Sequence, residues 1–331
     1  MSYALARDDV VNDDLFFKRN KHRLTDSKDK EHKDQKETTS SLQPFIVSEV
    51  PKYLSNYPEI SDAVMSVKDL VNEWKPPTPT CQYELEARLG RLGPHNFETG
   101  VMPAFMERVV SLMNTYQQWS DVTPWVETHD YFYHAGSDPS KPMVRTTAQF
   151  EIEPGTAKKR MKISNVRKYT LMKYDYQFVS QTMTLPTDMH QYDLRVTLNR
   201  EETLNKDDLP RIVNPTYMRI KSRKTYFYTS PDMPSNKPIW RFDLTKSWAA
   251  TTKTQAEMKQ KNEEPTFELE LECLDPSALM TSPTRDSFYV ACSLLLKVKD
   301  FITYVTQGND MFKWIPAIPK QSSEPANVRC F

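Results

Sequence analysis

Glycine is scarce, with six residues in a chain of 331, and no glycine-rich phosphate loop is present, which removes the commonest loop-based way of cradling a nucleotide. The four cysteines (Cys81, Cys273, Cys292, Cys330) show no paired metal-ligand spacing and no dense framework. That pattern suits a reducing compartment, and no disulfide is predicted. The six histidines have no ligand spacing, and His129 with His134 in THDYFYH reads as strand and loop material rather than a zinc site. Net charge is also lacking: 44 basic residues balance 44 acidic ones, so any attraction to phosphate must come from local segregation of charge. No apolar run is long enough to span a bilayer, and Asp8, Asp9, Asp13 and Asp14 interrupt the first twenty residues. A soluble, intracellular protein with no membrane partner is expected.

What is present is enough apolar material, 38% of the chain, to bury a substantial core. One domain over 46–314 is expected, flanked by a charged tail at 1–45 and a loose tail at 315–331. Residues 18–43 (KRNKHRLTDSKDKEHKDQKETTSSLQ) are too poor in large apolar residues to offset ordering entropy, so the N-terminal tail is expected to be disordered. Helical spacing occurs from Ile60 to Trp74, ended by Lys75-Pro76-Pro77, and again over Met102–Tyr116 and Ser287–Val305.

The rest alternates with the period of a strand. In Thr266–Cys273, Glu268, Glu270 and Glu272 share one face and Phe267, Leu269 and Leu271 the other. Tyr83–Gly90 repeats the idea, with Glu84, Glu86 and Arg88 on one face. Side by side, the two strands would crowd five carboxylates, a destabilising arrangement unless the acids meet water or a cation. Arg145, Thr147, Gln149 and Glu151 share a face of Met143–Glu151, as do Asp193, Arg195, Thr197, Asn199 and Glu201 in Asp193–Glu201. Arg219, Lys221 and Arg223 line one side of Tyr217–Tyr228, and Arg241, Asp243 and Thr245 one side of Trp240–Lys246. Taken singly, each strand fits an antiparallel sheet with a solvated polar face. Taken together, the sorting of acidic from basic strands favours a closed barrel with its polar face inward and its apolar outer face covered by helices.

The set ELEARLG (84–90), VRTT (144–147), DLRVTLNRE (193–201), RIKSR (219–223), RFDLTK (241–246) and ELELE (268–272) resembles the fungal, protozoan and viral type of RNA 5′-triphosphatase. This is the metal-dependent mRNA-capping enzyme of the triphosphate tunnel superfamily. The resemblance spans roughly residues 80–305. It implies a mainly β, α+β fold: a closed antiparallel eight-stranded barrel with helices packed outside.

By the same resemblance Glu84, Glu86 and Glu272 are metal ligands, and Glu270 with Asp243 holds metal-bound or attacking water, with Glu268 in the same row. Arg145, Lys221 and Arg223 grip the γ-phosphate. Arg219, Arg241, Thr245 and Glu201 form the supporting polar shell. The family has one more basic residue on the strand after Arg145, for which Lys158, Lys159 and Lys162 compete; Lys158 is favoured. No Trp-containing guanylyltransferase-docking peptide matches around Trp74.

Three carboxylates, waters and a phosphate oxygen would satisfy the six oxygen ligands that Mg²⁺ or Mn²⁺ prefers. Arginines can fork onto phosphate oxygens, while Lys221 acts as a point charge. The implied reaction removes the γ-phosphate from 5′-triphosphate RNA and leaves a diphosphate end, with some Mn²⁺-dependent NTP hydrolysis alongside. The implied partner is a guanylyltransferase, with a possible homodimer. The implied location is the nucleus for a cellular protein, or the cytoplasmic factory of a large DNA virus. The alternatives are an inactive tunnel that binds RNA ends, nucleotides or polyphosphate, and another tripolyphosphate hydrolase of the superfamily.

Overall fold

Strand alternation and proline-stopped helices together build one sheet that closes on itself. The computed structural model describes residues 57–94, 96–134, 142–151, 159–180, 192–205, 215–229, 237–280, 283–306 and 312–317. Among them, strands β1 (Cys81–Leu92), β4 (Val126–Tyr133), β5 (Val144–Glu151), β6 (Lys159–Ser180), β7 (Asp193–Thr203), β8 (Tyr217–Tyr228), β9 (Trp240–Ala250) and β10 (Thr266–Cys273) form the barrel. Their order is β10-β9-β8-β4-β5-β6-β7-β1, and β1 pairs back onto β10, so the eight antiparallel strands form a closed ring. Three short strands lie off the ring: β2 (Phe97–Thr99) on β1, β3 (Asp121–Val122) on β8, and β11 (Phe312–Pro316) on β6. Ile315 and Pro316, expected in the C-terminal tail, thus belong to an edge strand. The N-terminal tail lies outside the described residues.

Closure sends one face of every strand inward, and the sequence assigns that face to polar residues. The outward residues Leu85, Leu89, Leu194, Val196, Leu198, Phe242, Leu244, Leu269 and Leu271 are buried in one apolar core. Helices α1 (Val64–Glu73), α2 (Pro103–Thr115) and α5 (Ser287–Thr306) cover it. Helix α1 buries Val64, Val67, Leu70 and Val71 and stops where Trp74 turns extended, one residue before Lys75-Pro76. Helix α5 buries Leu294, Leu295, Val298, Phe301, Ile302 and Val305 in the same core. Each fully buried leucine contributes about 1.5–3 kcal/mol, so the outer apolar layer holds the ring shut. A smaller core under α3 (Lys253–Asn262) joins Ala256 to Met218 and Ile220, outside the barrel on β8. A single turn, α4 (Pro276–Leu279), follows β10.

Candidate active site

The inward faces of β1 and β10 meet at the closure. Glu86 lies opposite Glu272 and Arg88 opposite Glu270 in the register. Glu84, Glu86, Glu268, Glu270 and Glu272 are each no more than 7% exposed. Carboxylates this buried must be paired or neutralised. Lys168 on β6 bridges Glu84 at 2.7 Å and Glu86 at 3.3 Å. Glu86 also accepts from Thr197 at 3.0 Å and Asn199 at 2.7 Å, both on β7. Arg88 spans Glu86 at 3.0 Å and Glu270 at 2.9 Å, and Arg241 pairs with Glu272.

The neighbouring strands carry the cations. Arg223 reaches Asp243 at 2.8 Å, Glu270 at 3.0 Å and the Thr245 hydroxyl at 3.0 Å. Asp243 also accepts from the Thr225 hydroxyl at 2.6 Å and lies 3.2 Å from Arg241. Arg145 donates to Glu201 at 2.9 Å, and Ser247 donates to Glu268 at 2.7 Å. Lys221 is held by Asp130 at 2.8 Å, which also pairs with Arg219 at 3.2 Å and accepts from Thr147 at 2.7 Å. Thirteen of the fourteen residues expected in the site are therefore inside one tunnel. The fourteenth, Lys158, lies outside the described residues, and Lys159 and Lys162 sit on β6 without described side chains.

Among the site residues the sequence reading missed, two carry charge on the walls. Lys168 is the β6 cation that reaches the acid wall, and Asp130, fully buried on β4, is the anchor of the basic wall. Asp130 shares strand parity with Thr128 and Phe132 and faces Arg219 in the register.

Electrostatics divides the acids. Burial pushes Glu272 up to about 8, and Glu84, Glu86 and Asp243 add to this against the pull of Arg241. Burial also raises Glu270, but Arg88 and Arg223 outweigh it and hold that carboxyl well below the usual range. Asp130 behaves alike: burial is overcome by Lys221 and Arg219. Burial, with Arg219 and Arg223 close by, drives Lys221 down to about 7 despite Asp130.

These values bear on a cation. The oxygen donors Glu84, Glu86 and Glu272 suit a hard divalent ion, and the burial that, with Glu84, Glu86 and Asp243 nearby, raises Glu272 is a cost such an ion would offset. Among the described residues no three acids already converge on one point. The ammonium of Lys168 and the guanidinium of Arg241 occupy their oxygens and would have to give way for an ion to bind there.

No family model and no curated protein matches this chain. Among solved structures it is similar to the S. pombe Pct1 RNA triphosphatase, at 14% identity over 76% of this chain and 98% of that one, with a TM-score of 0.47. It is also similar to the RNA triphosphatase domain of a trifunctional mimivirus mRNA capping enzyme, at 12% identity over 74% and 97%, with a TM-score of 0.41. The PH1819 protein of Pyrococcus horikoshii OT3 follows at 11% identity over 70% and 92%, with a TM-score of 0.28. At such similarities, function has to be read from the tunnel's own side chains.

Proposed function

We propose that this chain is a divalent-metal-dependent polynucleotide 5′-triphosphatase that removes the γ-phosphate from 5′-triphosphate RNA. The observation that carries this reading is the sorting of charge inside a closed tunnel. Glu84, Glu86 and Glu272 line the closure, and Arg145, Lys221 and Arg223 project from strands farther round the ring. Phosphoryl transfer needs mainly positioning and neutralisation of charge. Mg²⁺ or Mn²⁺ held by Glu84, Glu86 and Glu272 would supply positive charge on the acid side of the terminal phosphate.

The chain's own groups do the rest. Arg145 and Arg223 offer forked donors to the phosphate oxygens. Lys221, balanced near neutrality, takes full charge when a phosphate arrives beside it. Asp130 holds Lys221 and Arg219, and Glu201 holds Arg145, so the cations are placed before substrate enters. Glu270 is too weak a base to remove a proton from water. Its role is to orient the attacking water while it fixes Arg223. Asp243 and Thr245 steady the same arginine, and Arg241 and Glu268 complete the polar lining.

The diphosphate product is the end that a guanylyltransferase caps, which gives the partner class; nuclear residence, or a viral factory, follows from that role. NTP hydrolysis with Mn²⁺ belongs to the same site. RNA labelled separately at its γ and β phosphates tests the reading: γ label should be freed and β label retained, with release stopped by a chelator. One observation favours a second outcome, because the acids of the tunnel are already matched by Lys168, Arg88 and Arg241. Binding of RNA ends or polyphosphate without release, under both metals, would make the tunnel a recognition module.

A further inference from the structure

Two aromatic side chains on the inner face take no part in the chemistry above. Phe132 lies two residues beyond Asp130 on β4, and Tyr217 two residues before Arg219 on β8, so each shares the inward face of its strand. The register sets Phe132 opposite Tyr217 on one side and opposite Arg145 on the other. Their ring centroids are 5.3 Å apart at 50°, and the Arg219 guanidinium lies 5.9 Å from the Phe132 ring.

Neither ring belongs to either apolar core, and both are half-buried. Burial raises the Tyr217 phenol, which also feels Arg219, Glu268 and Asp130, so it stands in the field of the tunnel. Across β8, the residue facing Arg219 on β9 is Ala249, a small side chain. The opposite end of β8 has Phe227 facing Arg241, without an aromatic partner across the strand.

The spacing matches a nucleotide. From Lys221 to Tyr217 is four residues of strand, about 13 Å at the usual rise, with Arg219 midway. A triphosphate and its ribose, extended from a γ-phosphate at Lys221 and Arg223, reach that far and pass Arg219 on the way.

We propose that Phe132 and Tyr217, flanked by Arg219, form the stacking platform for the first nucleobase of the RNA, which enters where β4 ends and β8 begins. The inference rests on the triphosphatase reading for its substrate. Stacking of this kind accepts any base, as an enzyme acting on all transcripts requires.

The test uses the full chain and 5′-triphosphate RNA whose first base is 2-aminopurine. Binding should quench its fluorescence without any turnover, Phe132→Leu/Tyr217→Leu should lose most of the quench, and Tyr217→Trp should keep it. The ratio of kcat/KM for triphosphate RNA to that for inorganic tripolyphosphate should fall about ten-fold in the double variant. Tyr217→Leu alone, outside both cores, serves the same comparison if the double variant does not fold. An unchanged ratio with an unchanged quench overturns the platform and leaves the triphosphatase standing. An equal loss on both substrates also overturns it, because that marks displacement of Arg145 or Arg219. Loss of the quench in Phe227→Leu, with none in Tyr217→Leu, places the base at the other end and overturns it too. A Tyr217-dependent quench with no phosphate released from any substrate upholds the platform and overturns the triphosphatase.

Discussion

Glu86 on β1 and Glu272 on β10 are direct cross-strand partners, two buried carboxylates side by side where the barrel closes. Like charges so placed are destabilising, and they persist because Lys168, Arg88 and Arg241 stand among them. The site balances opposite charges before any ligand arrives, and several measurable consequences depend on that balance.

The first is a valley in stability against pH for chelator-treated protein. Glu272, raised from 4.5 to about 8, keeps in the folded chain a proton that the unfolded chain has lost, so stability falls as pH rises through that interval. Lys221, lowered from 10.5 to about 7, and Lys297, lowered to about 8, act with the opposite sign, so stability recovers above those values. Melting temperature should therefore pass through a minimum between pH 7 and 8. Glu272→Gln should remove most of the fall on the acid side, leaving the part that Glu201, raised by burial and by Glu84, contributes, and Mn²⁺ should shallow the valley. A melting temperature that climbs steadily through the interval would contradict this.

Each of Glu84→Ala, Glu86→Ala and Glu272→Ala should lower metal-dependent phosphate release by about two orders of magnitude or more. Glu84→Ala and Glu86→Ala should also lower the melting temperature, because Lys168 and Arg88 each lose a buried partner. Release close to wild type in any of the three would remove that residue from the ligand set.

Asp130→Asn should cost about 3 kcal/mol in urea unfolding, as breaking a buried ion pair does. It should lower phosphate release as well, since Lys221 and Arg219 lose their common anchor. A stable, fully active variant would show that the basic wall is held by other contacts.

Gly90→Ala should destabilise by about 1–3 kcal/mol, because a Cβ there would lie 2.3 Å from the Glu98 carbonyl and 2.6 Å from the Phe97 ring. At Gly93 the nearest atom would be 3.0 Å away, so Gly93→Ala should cost less. Equal melting temperatures for the two would mean that β2 can shift on β1.

The acid and basic strands were legible because each alternates cleanly. β6 was not. A bulge between Thr170 and Met172 reverses its phase, so Lys168 and Asp175 both reach inner-face partners, Glu84 and Arg195, although their positions differ in parity. Aromatic residues on both faces of KYTLMKYDYQF hide the alternation further. Asp130 was masked by a neighbouring histidine and two aromatics, and β11 by the proline that ends it. Helix α1 begins at Val64 rather than Ile60, since residues 58–63 form turns that still bury Ile60 and Ala63.

The pairing of Leu85 with Cys273 also sets an order of events during synthesis. All the other barrel strands are translated between these two residues, so the last seam to zip joins the most distant segments, the kind of contact that slows folding. Until then β1 presents an open edge to the crowded surroundings of the ribosome. Glu84 and Glu86 lie along that edge, and charged residues in such a row discourage a second nascent chain from adding itself as a strand. The same carboxylates thus guard an unfinished barrel against aggregation.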